Sequence, residues 1–104
     1  MDHEEFLAQQ PKMMKEEILE RNAEYLGTYL FNLKNPQPGR YENAELGRTL
    51  DRNLFTNCSE VLCRHGFIDE GTLLSLIDLM DAPFVPETES AAEEKVREIL
   101  FPEK

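Results

Sequence analysis

Three glutamates within a single helical turn, Glu16, Glu17 and Glu20, are the residues whose types and spacing could do chemistry. A second acidic pair, Glu42 and Glu45, follows across a stretch rich in proline and glycine. Carboxylates on two facing helices can hold Mg²⁺ while a substrate pyrophosphate fills the remaining coordination positions. The pattern therefore predicts, as one alternative, a magnesium-dependent site built from these five side chains.

This spacing resembles the E-E-x-x-E … E-x-x-D signature of the all-α nucleotide pyrophosphohydrolases related to MazG. Glu45 stands at the position of the signature's aspartate, and the resemblance spans roughly Lys15 to Leu73. It implies an all-α enzyme that hydrolyses a nucleotide pyrophosphate bond with Mg²⁺.

The other reactive side chains predict no site. Cys58, Cys63 and His65 are the one cluster of soft metal ligands, and a zinc site needs more ligands than this cluster offers. The two cysteines point to different sides of one predicted helix, so we expect reduced thiols with Cys58 in the core. Arg48 and Arg52 are expected to pair with acidic residues, including those of the C-terminal third. No nucleophile stands at motif spacing from a histidine and no phosphate-binding loop occurs, so no catalytic residue, metal or cofactor is predicted.

Helical periodicity dominates the chain, and no alternating run of β-branched residues competes with it. The pattern predicts a single all-α domain over residues 1–104, a small bundle of four to five helices. Pro11 is expected to separate the first two, Asn35–Arg40 is a loop, and Ala82–Pro86 is an extended linker. The predicted helices cover about residues 2–10, 11–33, 43–65, 70–81 and 90–101.

The helix predicted over 11–33 has an unusually wide apolar arc. Its members occupy roughly half of the helix circumference. A helix of this kind must be buried on two sides, either in the middle of a bundle or between two copies of the chain. The arc consists of Met14, Ile18, Leu19, Ala23, Tyr25, Leu26, Tyr29, Leu30 and Leu33.

The remaining helices each have a predicted core face and recognisable ends. The helix over 70–81 is apolar nearly all round and is expected at the centre of the fold, with Asp69 as its N-cap. Ser90 begins a capping-box sequence for the last helix, and Gly66 is a natural C-terminal residue for the helix over 43–65. The buried stripe of that helix is expected to be Leu46, Leu50, Leu54, Cys58, Val61 and Leu62.

The net charge of −10 is concentrated near the C-terminus, where residues 67–104 hold ten acids and three bases. Such a chain is poorly suited to direct nucleic-acid binding, which needs cations for phosphates, and well suited to a basic protein partner. No apolar run is long enough for a membrane span, and the acidic N-terminus does not resemble a secretory signal. We therefore expect a cytoplasmic protein that does not enter membranes.

Taken together, these features favour a non-catalytic, acidic protein–protein interaction module, with a homodimer as one version of it. An adaptor, an assembly chaperone or an inhibitor of a basic partner would fit. A nucleic-acid mimic using the acidic C-terminal third is an alternative, as is the magnesium enzyme described above. The predicted partner-binding residues are Met13, Phe31, Phe84, Val85, Glu87, Glu89, Glu93 and Glu94.

Overall fold

The computed structural model describes residues 3–35 and 44–102, with side chains at 14–35 and 45–102. These residues form four helices and no strand: α1 (His3–Lys34), α2 (Ala44–Arg64), α3 (Glu70–Asp81) and α4 (Glu89–Leu100). The prediction of an all-α bundle is confirmed.

The first two predicted helices, 2–10 and 11–33, are one helix, because α1 runs through Pro11 without a break. A proline inside a helix removes one backbone hydrogen bond, but the residues around it are mostly Glu, Gln, Ala, Leu, Met and Lys, all good helix formers. Their combined preference keeps the helix continuous, so the predicted boundary at Pro11 is wrong.

The central helix is α1, which packs against α2 on one side and α4 on the other. Two-sided burial is thereby confirmed, although not for the whole predicted arc: Tyr29 and Leu33 are half-buried, and Met14 and Tyr25 are 57% and 55% exposed. Helix α4 covers a flank that the arc did not include. The buried members of the arc are Leu19, Ala23, Leu26 and Leu30.

Helix α2 is rotated relative to its predicted orientation. Phe55 is fully buried, whereas the exposed fractions of Leu46, Leu50, Leu54 and Val61 are 43%, 38%, 43% and 44%, so most of the predicted stripe is wrong. The rotation buries the largest side chain of the helix. It also buries Ser59, whose hydroxyl donates to the Phe55 carbonyl oxygen at 2.9 Å and so needs no partner outside the helix. The inward face consists of Asp51, Phe55, Ser59 and Leu62.

Helix α3 lies at the edge of the bundle, packed against α2 and α4, and not at its centre. Leu76 and Met80 are its buried residues, while Leu74, on the opposite side, is 63% exposed. High apolar content therefore did not identify the central helix. Helices α1 and α3 each pack against α2 and α4, and α1 is much the longer of the two.

The turn between α2 and α3 forms as predicted. Gly66 has a φ of +80°, and its N–H donates to the Cys63 carbonyl at 3.0 Å while that of Phe67 donates to the Leu62 carbonyl at 2.9 Å. This is the Schellman arrangement that ends many helices. Asp69 then caps α3, since its carboxylate accepts from the Thr72 N–H at 2.7 Å. Hydrogen bonding to Thr72 lowers the pKa of Asp69.

The N-cap of α4 is Thr88 and not the predicted Ser90. The Thr88 hydroxyl oxygen accepts from the Ala91 N–H at 3.0 Å, and α4 begins at Glu89. Thr88→Ala should therefore lower the free energy of unfolding by about 1 kcal/mol, since one N–H of the first turn loses its acceptor. Ser90→Ala should change it by less than about 0.5 kcal/mol. Urea denaturation of both variants measures the difference, and equal losses would contradict this cap.

Candidate protein-interaction surface

Four of the eight large hydrophobic residues that are exposed in the described part of the chain lie on the outward side of α2. Leu46, Leu50, Leu54 and Val61 recur at helical spacing over about 22 Å of the helix axis. Isolated exposed leucines are ordinary on protein surfaces, but a row of them along one helix marks a contact site.

This apolar row lies beside the seam at which α1 and α2 pack. At the seam the Cys58 thiol donates to the Asn22 amide oxygen at 3.1 Å. Leu54 and Val61 are the residues one turn before and after Cys58, and Tyr25 is one turn after Asn22. The apolar row therefore continues from α2 onto Tyr25.

Two further observations extend the surface along α1. Burial and the neighbouring Cys58 and Tyr25 raise the pKa of Tyr29, which places its ring at the same seam. Met14, eleven residues before Tyr25, lies three helical turns away on the same side of α1. We call this surface the α1–α2 face; its exposed members are Met14, Tyr25, Leu46, Leu50, Leu54 and Val61.

The α1–α2 face belongs to the least charged helix pair of the molecule. Helix α2 contains three arginines and three acidic residues, so it contributes nothing to the net charge. Arg52 pairs with Asp81 of α3, Nη1 to Oδ1 at 2.7 Å, and this contact lowers the pKa of Asp81. The prediction that Arg52 pairs with an acid is confirmed, and its charge lies on the α3 side of α2.

The acidic side of the molecule is formed by α4, on the opposite flank of α1. Arg97 donates through Nε to Glu93 at 2.9 Å and also contacts Glu20 of α1, and these two carboxylates raise the pKa of Arg97. Glu24 and Glu89 line a shallow groove between the two helices. The structure thus separates an apolar face from an acidic one.

The acidic and linker residues predicted to bind a partner lie mainly at the surface. Val85 is 61% exposed. Glu87, Glu89 and Glu94 are exposed as well, whereas Glu93 is half-buried in its contact with Arg97. None of these residues belongs to the α1–α2 face.

The predicted aromatic contact residues, Phe31 and Phe84, are half-buried against the core. The Lys34 ammonium lies 5.4 Å from the centroid of the Phe84 ring and donates to the Ala82 carbonyl, and burial lowers the pKa of Lys34. Asn35 donates to the carbonyls of Phe31 and Pro86 at 3.1 and 2.9 Å. These contacts tie the linker between α3 and α4 to the end of α1.

The side chain of Met13 lies outside the described residues.

The glutamates predicted to hold Mg²⁺ are not all brought together. Glu16 and Glu17 are exposed, and Glu17 pairs with Arg21 at 2.9 Å. Asn22 contacts Cys58, and in a parallel pair Lys34 and Ala44 would lie about 39 Å apart along the axis, further than ten chain steps can reach. Helix α2 therefore runs antiparallel to α1, and Glu45, in its first turn, lies level with the end of α1. That is about 20 Å along the helix from Glu20, too far to share one ion. Glu42 lies outside the described residues.

The soft ligands are also dispersed. Cys58 and Cys63 are both half-buried free thiols, and His65 is exposed. Within residues 14–35 and 45–102, no three His, Cys, Asp or Glu side chains are grouped so that they could hold a metal ion.

Burial of the Cys58 thiol should make the free energy of unfolding depend on pH. Desolvation raises the pKa of Cys58 from 9.0 to about 11. Above about pH 9 the unfolded chain therefore loses this proton first, so the unfolding free energy should fall as the pH rises toward 11. Cys58→Ser keeps a donor for Asn22 but does not titrate there, so its unfolding free energy should fall less. Parallel urea denaturation at pH 8, 9 and 10 tests this, and identical slopes would contradict it.

Comparison with protein-family models, with curated proteins and with solved structures finds no match to this chain. Among the described helices, none combines the length and the apolar character that crossing a membrane requires.

The apolar patterns of α1 and α2 predicted that Tyr25 and the four aliphatic residues of α2 are buried. The width of the apolar arc of α2 could have indicated that some of these side chains are exposed. With Phe55 and Leu62 included, the apolar arc of α2 spans about half of the helix, as wide as the arc of α1. Helix α2 packs against α1 and α3, and these contacts bury Phe55 and Leu62 but leave the Leu46 edge of the apolar arc exposed.

Proposed function

We propose that this chain is a non-catalytic protein–protein interaction module that binds its partner through the α1–α2 face. The observation that carries the proposal is the row of Leu46, Leu50, Leu54 and Val61, all more than a third exposed on a helix whose other side is already packed. Burying such a row releases ordered water and provides most of the free energy of association.

The charge distribution supports a protein partner and helps to orient it. A net charge of −10, most of it in residues 67–104, keeps the chain dispersed and favours contact through a surface that is itself uncharged. The neutral α2 then provides the contact itself. An adaptor, an assembly chaperone or an inhibitor fits this arrangement, and a cytoplasmic setting fits the free thiols.

An enzymatic role receives no comparable support from the geometry. Glu45 is distant from Glu17 and Glu20, and Glu20 is engaged by Arg97. We therefore assign Glu17 and Glu20 a structural role, in which they form ion pairs with Arg21 and Arg97.

The matched pair Leu54→Glu and Leu74→Glu tests the proposal. Both leucines are exposed, 43% and 63%, but only Leu54 lies in the α1–α2 face. Tagged wild type and both variants are used as bait in an extract of the native host, and bound proteins, including further copies of this chain, are quantified by mass spectrometry. We expect a protein recovered by wild type and Leu74→Glu and lost with Leu54→Glu. If nothing recovered depends on Leu54, the proposal is wrong.

A further inference from the structure

We infer that the occupant of the α1–α2 face is a second copy of this chain, with the two α2 helices packed antiparallel about a two-fold axis. The axis passes between Asn53 and Leu54. This inference rests on the proposed function, because it names the partner of the same face.

Charge complementarity is the first reason. Two copies that each carry −10 repel one another at most relative orientations. Helix α2 is formally neutral, and its outward residues between the leucines include the uncharged Asn53 and Asn57. The net-acidic α3 packs on the Arg52 side of α2 and the net-acidic α4 packs on the far flank of α1, so contact through the α1–α2 face keeps both of these helices away from the second copy. No other described helix combines an apolar outward row with zero net charge.

The spacing of the row is the second reason. A two-fold interface uses the same patch on both copies, so the patch must be complementary to itself. Leu46 and Val61 lie at nearly equal distances on either side of the proposed axis. Leu46 of each copy therefore meets Val61 of the other, Leu50 meets Asn57, and Leu54 lies beside its own equivalent. The amide of Asn53, which lies next to the axis, can both donate and accept, so the Asn53 side chains of the two copies can pair across it.

The size of the surface is the third reason. The exposed parts of its six side chains amount to roughly 500 Å² on each copy, so the pair would bury at most about 1,000 Å² in all, the size at which specific interfaces begin. This area predicts a dimer that dissociates on dilution and is not permanent.

Sedimentation equilibrium between about 1 and 200 µM measures the association directly. Wild type and Leu74→Glu should rise from the mass of one chain toward twice that mass, whereas Leu54→Glu should stay monomeric at every concentration. Circular dichroism at the same concentrations confirms that each variant is folded. A wild type that remains monomeric overturns the second copy as occupant, and a Leu54→Glu protein that still dimerises overturns its placement on this face.

A disulfide test fixes the geometry without relying on a disruptive charge. In a Cys58→Ser, Cys63→Ser background, Leu54→Cys should give a disulfide-linked dimer on mild oxidation, and Leu74→Cys should give at least tenfold less. Equal cross-linking of the two variants, or none with Leu54→Cys, overturns the proposed axis. The extract experiment distinguishes failure of the dimer from failure of the proposed function. If the wild type is monomeric but recovers a different protein that is lost with Leu54→Glu, the proposed function stands and only the dimer is wrong.

Discussion

Phe55→Ala should be among the most destabilising single substitutions in this chain, lowering the free energy of unfolding by about 3–5 kcal/mol. The Phe55 ring is fully buried on the inward side of α2 and belongs to the same core cluster as Leu26 and Leu76. Alanine would lose the transfer free energy of the ring and leave a cavity that packed helices cannot collapse into. Thermal or urea unfolding followed by circular dichroism measures the loss.

The neighbouring residue provides the control for Phe55. Leu54 is one position away in the same helix but is 43% exposed. Leu54→Ala should therefore cost less than about 1 kcal/mol when measured on the monomer. If the two variants lose equal stability, the orientation of α2, and with it the α1–α2 face, is wrong.

Gly27→Ala should destabilise the protein by about 1–3 kcal/mol, opposite in sign to the usual effect of this substitution within a helix. A Cβ atom at Gly27 would lie 2.8 Å from both Cα and Cβ of Glu93. Because the obstacle includes the backbone of α4, no side-chain rotation relieves it and the two helices must separate. The burial of Ala92 and Val96 would be lost in part with that movement.

Gly71→Ala is the matched control, since Gly71 lies in the first turn of α3. The nearest atom to a Cβ there is Asp69 Oδ1 at 3.5 Å, an ordinary contact. Alanine should leave the stability unchanged or raise it by up to about 1 kcal/mol, because glycine loses more backbone freedom on folding. Should Gly27→Ala stabilise the chain as Gly71→Ala does, the close approach of α1 and α4 is not present in solution.

Local signals in the sequence predicted local structure well. Gly66 and Asp69 end one helix and begin the next through bonds among residues at most five positions apart, so their types alone determine the turn. The apolar stripe of α1 likewise predicted its four buried residues, Leu19, Ala23, Leu26 and Leu30, although the wider arc did not predict the flank that α4 covers. In each of these cases the relevant partners are close in sequence or belong to a single helix.

What periodicity could not predict is which apolar residues find a partner. In α2 the leucine row and the Phe55 row are both plausible inward faces, and the choice depends on how α1 and α3 fit against them. In the same way, α3 is the most apolar helix but is short and lies at the edge. The α1–α2 face consists of the apolar residues that stay exposed after the helices have packed. Its position therefore depends on the three-dimensional structure and could not be predicted from periodicity.

The pairing of α1 with α4 also has a consequence for synthesis on the ribosome. The hairpin of α1 and α2 can form early, but the flank of α1 at Gly27 stays uncovered until α4 has emerged. Until then the nascent chain exposes the future α1–α4 contact in addition to the α2 leucines. The apolar surface that the nascent chain exposes is therefore largest before α4 emerges, and chaperones that act at the ribosome would then have most to bind.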